Sequence, residues 1–162
     1  FSDDPGKVDL VRERDDVAVL RTFSKVYGLA GLRLGYILVP DSLGDAYARV
    51  NTPFAVNKLA LRAGLAALDD DEHVERTVET ARWSRSYMHE HLDAPTWPSG
   101  GNFVLADVGD GGAVFEATKE RGVIVRDTTS FGLPDCVRVT AGTREGTRRA
   151  VDVLNEILAA RR

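Results

Sequence analysis

The chain has 162 residues, of which 43% are hydrophobic and 28% charged, and its formal net charge is −4. This balance predicts a folded domain with a real core, and the lack of a basic block argues against binding to nucleic acid or a membrane surface. The single cysteine, Cys136, excludes an internal disulfide framework and a zinc site built on several cysteines. Since no membrane-spanning run or signal peptide is recognisable, we expect a cytoplasmic protein.

The first part of the chain predicts a short helix, then two strands joined by a glycine-rich turn. The helix is expected over 8–16 and the first strand over 17–22. The second strand, 34–40, is nearly all apolar, which favours burial of both its faces, as in a covered α/β sheet. The turn between the strands carries a lysine, Lys25.

The turn segment 21–36, RTFSKVYGLAGLRLGY, combines residue types that together predict a cofactor site. A lysine walled by apolar strands is desolvated, which favours the neutral amine, so Lys25 can attack a carbonyl and form a Schiff base. Thr22 and Ser24 offer hydroxyl groups, and the planar fork of Arg33 suits a phosphate. A nucleophilic lysine beside a phosphate cradle predicts pyridoxal 5′-phosphate (PLP). The competing interpretation is a glycine-rich hairpin with a solvated lysine and arginine.

Three helices are predicted in the middle of the chain. One begins at Asp41 and runs to about residue 50, and a second, over 56–68, is expected to be largely buried. The third is a long helix over 72–91. Asn57 precedes the second helix, and its position favours a helix N-cap over a functional role.

The histidines and aromatic residues of the long helix do not predict a metal or cofactor site. His89 and His91 are two residues apart, so they point in different directions on a helix and cannot form a ligand pair. We interpret these two and His73 as surface residues and expect no metal site. Trp83 and Tyr87, four apart, favour a packed stripe linking two lobes rather than an aromatic box.

A segment rich in Pro, Gly and Ser, 94–101, predicts a domain boundary, with domains over 1–93 and 94–162. The second part predicts a small α+β lobe. Its expected strands are 102–108, 123–126 and 136–140, and its expected helices are 113–121 and 144–160.

Two arginines in this lobe lie on predicted strands, Arg126 and Arg138. Arg138 stands between two valines, so it lies on the opposite face of its strand. An arginine in an apolar neighbourhood needs an anionic partner. That partner is either a ligand or one of the nearby carboxylates, Asp127, Asp135 or Glu145.

The string T-x-S-K-x-x-G-L-A-G-L-R-x-G-Y, residues 22–36, resembles the Schiff-base lysine motif of the class I/II, fold-type I PLP-dependent aminotransferases. Its wording is most similar to the histidinol-phosphate aminotransferase branch of that family. The resemblance covers nearly all of this sequence but only about the C-terminal half of the family's length, and the family's D-x-A-Y motif is absent. It implies an α/β fold: the end of a large PLP-domain sheet, a connecting helix and a small C-terminal α+β domain.

The resemblance also implies roles for individual residues. Lys25 would anchor PLP and shuttle the proton, while Thr22, Ser24 and Arg33 would hold the cofactor phosphate. In V-R-V-T-A-G-T-R-E, Arg138 matches the arginine that binds the substrate α-carboxylate.

Two further segments carry candidates for substrate binding. In V-I-V-R-D, Arg126 matches an arginine that helps to hold the phosphate of histidinol phosphate. In S-G-G-N-F, Asn102 matches a position near the substrate, although a turn residue that starts a strand explains it equally simply.

The function implied is transamination between histidinol phosphate or imidazole-acetol phosphate and glutamate or 2-oxoglutarate, in histidine biosynthesis. A homodimer is implied for the full-length protein. Related PLP enzymes remain open, namely a threonine-phosphate decarboxylase or an aromatic aminotransferase. An alternative of a different class is a non-catalytic structural or interaction domain.

Overall fold

The computed structural model describes residue 1 and residues 8–161. The helices are α1 (Leu10–Glu13), α2 (Asp41–Val50), α3 (Lys58–Leu68), α4 (Asp71–His91), α5 (Gly111–Glu120) and α6 (Arg144–Ala160). The strands are β1 (Val19–Thr22), β2 (Gly35–Leu38), β3 (Thr96–Trp97), β4 (Phe103–Asp107), β5 (Arg126–Asp127) and β6 (Cys136–Thr140). In the part of the chain so described, no helix combines the length and the apolar character needed to cross a membrane.

The described residues form two compact units, 8–76 and 77–161, the second together with residue 1. The division falls between residues 76 and 77, inside α4. The Pro-rich segment on which the predicted boundary between residues 93 and 94 rests lies within the second unit. That boundary stays a prediction.

In the first unit, β1 and β2 form a two-stranded antiparallel sheet whose register pairs Thr22 with Gly35. Its small core consists of Phe23, Leu34 and Ala60, which brings α3 against the turn between the strands. The start of α3 is fixed by Asn57, whose side-chain oxygen accepts a hydrogen bond from the Ala60 amide at 2.8 Å. The predicted N-cap role of Asn57 is confirmed.

Two burial predictions for this unit are wrong. The second strand was expected to be buried on both faces, but Gly35 and Tyr36 are exposed. Helix α3 was expected to be largely buried, yet its leucines are exposed: Leu59, Leu61, Leu65 and Leu68. Two strands and the helices beside them provide too few layers to cover every apolar face. Apolar residues alone do not specify which surface covers them.

The second unit is built on an antiparallel sheet of order β3-β4-β6-β5. Alternate residues of the two central strands are buried, including Val104 on β4 and Val137 and Val139 on β6. They pack with Val114 of α5 and Leu154 of α6 in one core. The small α+β lobe predicted from the sequence is therefore present in the structure.

One strand of this sheet differs from its prediction. A strand was expected over 123–126, but β5 contains only Arg126 and Asp127. Pairing with β6 begins where Arg126 lies opposite Arg138. Residues 123–125 are apolar but precede that pairing, so hydrophobicity alone placed the strand too early.

Gly111, the first residue of α5, lies against the loop that leads into β6. Its amide donates to the Pro134 carbonyl at 2.8 Å, and a β-carbon at this position would collide with the carbonyl oxygens of Cys136 and Pro134. At the next residue, Gly112, the nearest atom to an added β-carbon is an Asp110 carboxylate oxygen at 3.8 Å. The two adjacent glycines therefore form a matched pair of sites.

We expect Gly111→Ala to lower the free energy of unfolding of the second unit by about 2 kcal/mol, because the obstructing atoms are backbone. Gly112→Ala should be neutral or stabilise by up to about 1 kcal/mol, since alanine has the higher helix propensity. Both tryptophans, Trp83 and Trp97, lie in this unit, so urea denaturation followed by their fluorescence reports on it. Equal stabilities of the two variants would contradict the packing described.

Candidate active site

Main-chain hydrogen bonds close the lysine turn around a buried aromatic residue, Phe23. The Phe23 amide donates to the Leu34 carbonyl at 3.1 Å, and the Phe23 carbonyl accepts from the Leu29 amide at 3.0 Å. The Gly28 amide donates to the Lys25 carbonyl at 2.9 Å. Phe23 is buried, so both ends of the segment that carries the lysine are tied to a core residue.

The four residues predicted to form the cofactor site, Thr22, Ser24, Lys25 and Arg33, lie on this turn. The Ser24 amide donates to the Thr22 hydroxyl at 3.0 Å, and Arg33 Nη1 reaches the Ser24 hydroxyl at 3.5 Å. The same Nη1 donates to the Ala30 carbonyl at 2.8 Å. Hydrogen bonds therefore link Thr22 and Ser24, which precede Lys25 in the sequence, to each other and to Arg33, which follows it.

Arg33 adopts a left-handed backbone conformation, with φ of 53°. A side chain with a β-carbon rarely adopts this region, and such strain persists where the surrounding structure enforces it. Here the Arg33 main chain ends the short 3₁₀ turn Ala30–Leu32, and its side chain folds back onto that turn. The strained residue is the one that carries the guanidinium beside Ser24.

Gly35 is required by a close approach between the two strands. A β-carbon at this position would lie 2.8 Å from the carbonyl oxygen of Arg21. Since that atom belongs to the backbone of β1, it cannot move aside without disturbing the pairing of Thr22 with Gly35. The glycine before Tyr36 in the lysine string therefore has a structural explanation.

One expectation about Lys25 is wrong for this structure. The sequence predicted a lysine walled by apolar strands, but Lys25 is exposed. Both strands of the sheet that carries the turn have exposed positions, among them Leu20 and Tyr36, so this pair alone builds no enclosing wall.

A buried nitrogen of Arg138 is left without a hydrogen-bond partner. Arg138 Nε is buried and donates a hydrogen bond to no atom of the described residues. The guanidinium carbon of Arg138 lies 5.1 Å from the centre of the Phe103 ring. None of the ion pairs among the described residues joins Arg138 to Asp127, Asp135 or Glu145, the carboxylates considered from the sequence. A desolvated donor without a partner is costly, and it marks a position where a ligand can bind.

One of those carboxylates, that of Asp127, accepts hydrogen bonds from another residue. Asp127 accepts hydrogen bonds from the amide and the hydroxyl of Thr129, at 2.9 and 2.7 Å. These two bonds lower the pKa of Asp127 below its usual value, and the charge of Arg126 lowers it further. Oδ1 of Asp127 therefore caps the following turn, and Asp127 forms no ion pair with Arg138.

Arg126 and Arg138 lie directly opposite each other across the β5–β6 pair. Arg126 is exposed, and its guanidinium carbon is 5.5 Å from the centre of the Phe131 ring. Beside it is an open groove of about 490 Å³, lined by Phe115, Ile124, Val125, Arg126, Asp127 and Ser130. Two arginines at paired positions of neighbouring strands suit an anion with several oxygens.

Asn102 has a clear structural role. Its carbonyl accepts a hydrogen bond from the Ala141 amide at 2.8 Å, which extends the pairing of β4 and β6 by one residue. The side chain is half-buried. This main-chain hydrogen bond supports the interpretation of Asn102 as a residue that starts a strand. Its role in binding a substrate stays a prediction.

The predicted residues fall into two groups. Thr22, Ser24, Lys25 and Arg33 lie in the unit 8–76, and Asn102, Arg126 and Arg138 lie in the unit 77–161. Within the residues that the structure describes, no cluster of three or more His, Cys, Asp or Glu side chains is suited to a metal ion.

Sequence reasoning missed two residues near these groups. Phe103 lies two positions before Leu105, the cross-strand partner of Arg138, so it shares a sheet face with the arginine and stacks on it. The aromatic residue at the start of a strand, with an arginine on the neighbouring one, was a readable signal. His73, taken as a surface residue, is half-buried and contacts the Val26 carbonyl, whereas His89 and His91 are exposed as expected.

Residues 1–154 match the model of the family described as aminotransferase class I and II. The histidinol-phosphate aminotransferase of Haloarcula marismortui is 65% identical over 158 residues, which are 98% of this chain and 44% of that protein. The histidinol-phosphate aminotransferase of Natronomonas pharaonis is 67% identical over 158 residues, again 98% of this chain and 44% of the relative.

A solved structure gives the corresponding result for the fold. The histidinol-phosphate aminotransferase of Sinorhizobium meliloti, solved in complex with pyridoxal 5′-phosphate, matches with a TM-score of 0.84 at 24% identity. The match covers 96% of this chain and 44% of that one. The fold class predicted from the sequence, part of an α/β fold-type I PLP-dependent transferase, is confirmed.

This chain belongs to the class I and II aminotransferase family. The resemblance that rested on the lysine string is thereby confirmed. The chain spans about 44% of the length of the curated relatives that it matches.

The unpartnered nitrogen of Arg138 leads to a stability test. We expect Arg138→Met to raise the free energy of unfolding of the second unit by about 1 kcal/mol, because it removes a desolvated donor and leaves an apolar side chain on Phe103. The same substitution at the exposed Arg126 should stay within about 0.5 kcal/mol of the unchanged chain. Tryptophan fluorescence during urea denaturation measures both.

A loss of more than about 1 kcal/mol in Arg138→Met would contradict this expectation. It would show that Arg138 stabilises the sheet, and the buried nitrogen would then be no sign of a ligand.

Proposed function

We propose that this chain supplies the lysine and the substrate-binding arginines of a PLP-dependent aminotransferase. The enzyme moves an amino group between histidinol phosphate or imidazole-acetol phosphate and glutamate or 2-oxoglutarate, as a step of histidine biosynthesis. The observation that carries the proposal is the lysine turn, where Ser24, the residue before Lys25, is hydrogen-bonded to both Thr22 and Arg33.

The residues of the turn fit the cofactor by their chemistry. A phosphate accepts hydrogen bonds, and Thr22, Ser24 and Arg33 carry donors that suit its oxygens. An aldehyde reacts with a primary amine, and the Lys25 amine is exposed on the same turn. The backbone strain of Arg33 is consistent with a functional reason for its conformation.

Lys25 has two roles in this proposal. Its Nζ would hold PLP covalently through the aldehyde of the cofactor. The Lys25 amine would also be the general base that takes the proton from the substrate α-carbon. Bound PLP supplies the electron sink that makes this proton acidic.

Arg138 and Arg126 bind the anionic groups of the substrates. The buried Nε of Arg138 provides a donor that no described residue uses, and a carboxylate would satisfy it in a bidentate pair. Arg126, opposite on β5, adds a second cation for the phosphate of the other substrate. The names of the Haloarcula and Natronomonas relatives, at 65% and 67% identity, support these substrates.

We also propose that the whole enzyme is a homodimer of the cytoplasm. The exposed leucines of α3 support an interface on the first unit, since large apolar surfaces of soluble proteins are usually covered. The curated relatives are more than twice as long as this chain, so part of that surface can equally be covered within one enzyme chain.

The cofactor proposal is tested by mixing the chain with PLP, reducing it with borohydride and mapping the labelled peptides. We expect the label on Lys25 in preference to Lys58 and Lys119, which are exposed on α3 and α5. Lys25→Ala should remove the preferred label. Equal labelling of the three lysines would mean that the chain by itself does not form the site, and would favour a non-catalytic domain.

A second variant isolates the guanidinium. We expect Arg33→Ala to weaken PLP binding about tenfold or more, because a charged hydrogen-bond donor to the phosphate is lost. Alanine also carries a β-carbon, so the strain of the left-handed backbone is unchanged. Arg62→Ala, at an exposed arginine of α3, is the control and should bind PLP as the unchanged chain does. Equal affinities of both variants would remove Arg33 from the site.

A further inference from the structure

His73, near the start of α4, reaches the turn that carries the lysine. Its Nε2 lies 3.1 Å from the carbonyl oxygen of Val26, the residue that follows Lys25. The ring also lies close to Gly28, since a β-carbon added there would be 3.8 Å from Nε2. The histidine therefore contacts the turn on the C-terminal side of the lysine.

The direction of this hydrogen bond follows from the chemistry of the partner. A carbonyl oxygen only accepts, so His73 must carry a hydrogen on Nε2 and donate it. The neutral ring with its hydrogen on Nε2 and the protonated ring both meet this requirement. The contact therefore does not depend on the charge of the histidine.

The main chain fixes where the ring stands. The His73 amide donates to the Asp70 carboxylate at 3.0 Å, and the Val74 amide donates to the Asp70 carbonyl at 3.3 Å. Asp70 thus caps the start of α4 and fixes the backbone from which the His73 side chain extends. A helix, rather than a loop, presents the donor to the turn.

The Val26 carbonyl of the turn accepts no main-chain hydrogen bond from the described residues. Residues 25–28 are closed by the hydrogen bond from the Gly28 amide to the Lys25 carbonyl. This bond leaves the Val26 carbonyl directed out of the turn, where His73 meets it. Without this donor, a half-buried acceptor would depend on water, and the peptide that joins Lys25 to Tyr27 would have fewer constraints.

We propose that His73 is a positioning residue for Lys25: through the Val26 carbonyl it holds the lysine turn in the conformation that aligns the amine with Thr22, Ser24 and Arg33. This inference rests on the proposed function, because the alignment matters only if Lys25 carries the cofactor. The side chain of Lys25 is exposed, so its placement depends on the backbone of the turn rather than on neighbours packed against it.

The first test is amide hydrogen exchange of the chain without any cofactor. We expect His73→Leu to speed exchange at Gly28 and Leu29 about fivefold or more, since a net hydrogen bond to the turn is lost. His73→Gln, which places an amide donor near the position of Nε2, should restore at least half of the protection. His89→Leu is the control on the same helix. His89 and the Thr96 hydroxyl, 2.7 Å from its Nδ1, both lie in the second unit.

The second test measures the lysine directly. After PLP treatment and borohydride reduction, the ratio of label on Lys25 to label on Lys58 should fall about fivefold in His73→Leu and recover in His73→Gln. A merely structural loss would lower the thermal stability without this change in ratio. The ratio should stay unchanged in His89→Leu.

The two proposals fail in different ways. Unchanged exchange at Gly28 and Leu29 in His73→Leu would overturn the positioning role, whether or not the chain binds PLP. If the unchanged chain shows no preference for Lys25 over Lys58, the cofactor proposal fails for this chain, and the role of His73 toward a cofactor fails with it. Normal labelling combined with an unchanged ratio in His73→Leu would overturn the role of His73 alone.

Discussion

The lysine turn depends on the burial of Phe23 and on the two main-chain hydrogen bonds that Phe23 makes. Its amide and carbonyl tie the turn to Leu34 and to Leu29, and its ring lies 4.8 Å from that of Tyr27. A buried aromatic side chain resists displacement because of the apolar area that it removes from water. The neighbouring Lys25 can therefore remain exposed, and Ser24 half-buried, while their backbone stays fixed.

The two groups of candidate residues share a physical property, which is that each contains a local feature unfavourable for stability. Arg33 has a left-handed backbone, and Arg138 buries a nitrogen that no described residue accepts. Folded proteins retain such features mostly where a ligand or a reaction requires them. The Phe103 ring lies against the Arg138 guanidinium and makes the second feature tolerable.

The apolar surface of the first unit gives a consistent account of the burial predictions that were wrong. The pattern of α3 indicates a helix between two apolar layers, and the helix is formed, but its leucines face solvent in this structure. Burial is a property of what lies opposite a residue, and in a chain spanning about 44% of its relatives the opposite layer need not be present. The second unit, whose sheet is covered by α5 and α6, matches its predicted lobe more closely.

The sequence by itself determined the family, through a lysine string whose residues are adjacent in the chain, and it determined most helices and the N-cap at Asn57, through local periodicity and capping chemistry. Only the tertiary structure decided the exposure of Lys25, the unpartnered nitrogen of Arg138 and the contact of His73 with Val26. The last of these joins residues 47 positions apart. Local patterns carry no information about such contacts, because the distance between two residues that are remote in sequence is set by the packing of whole elements.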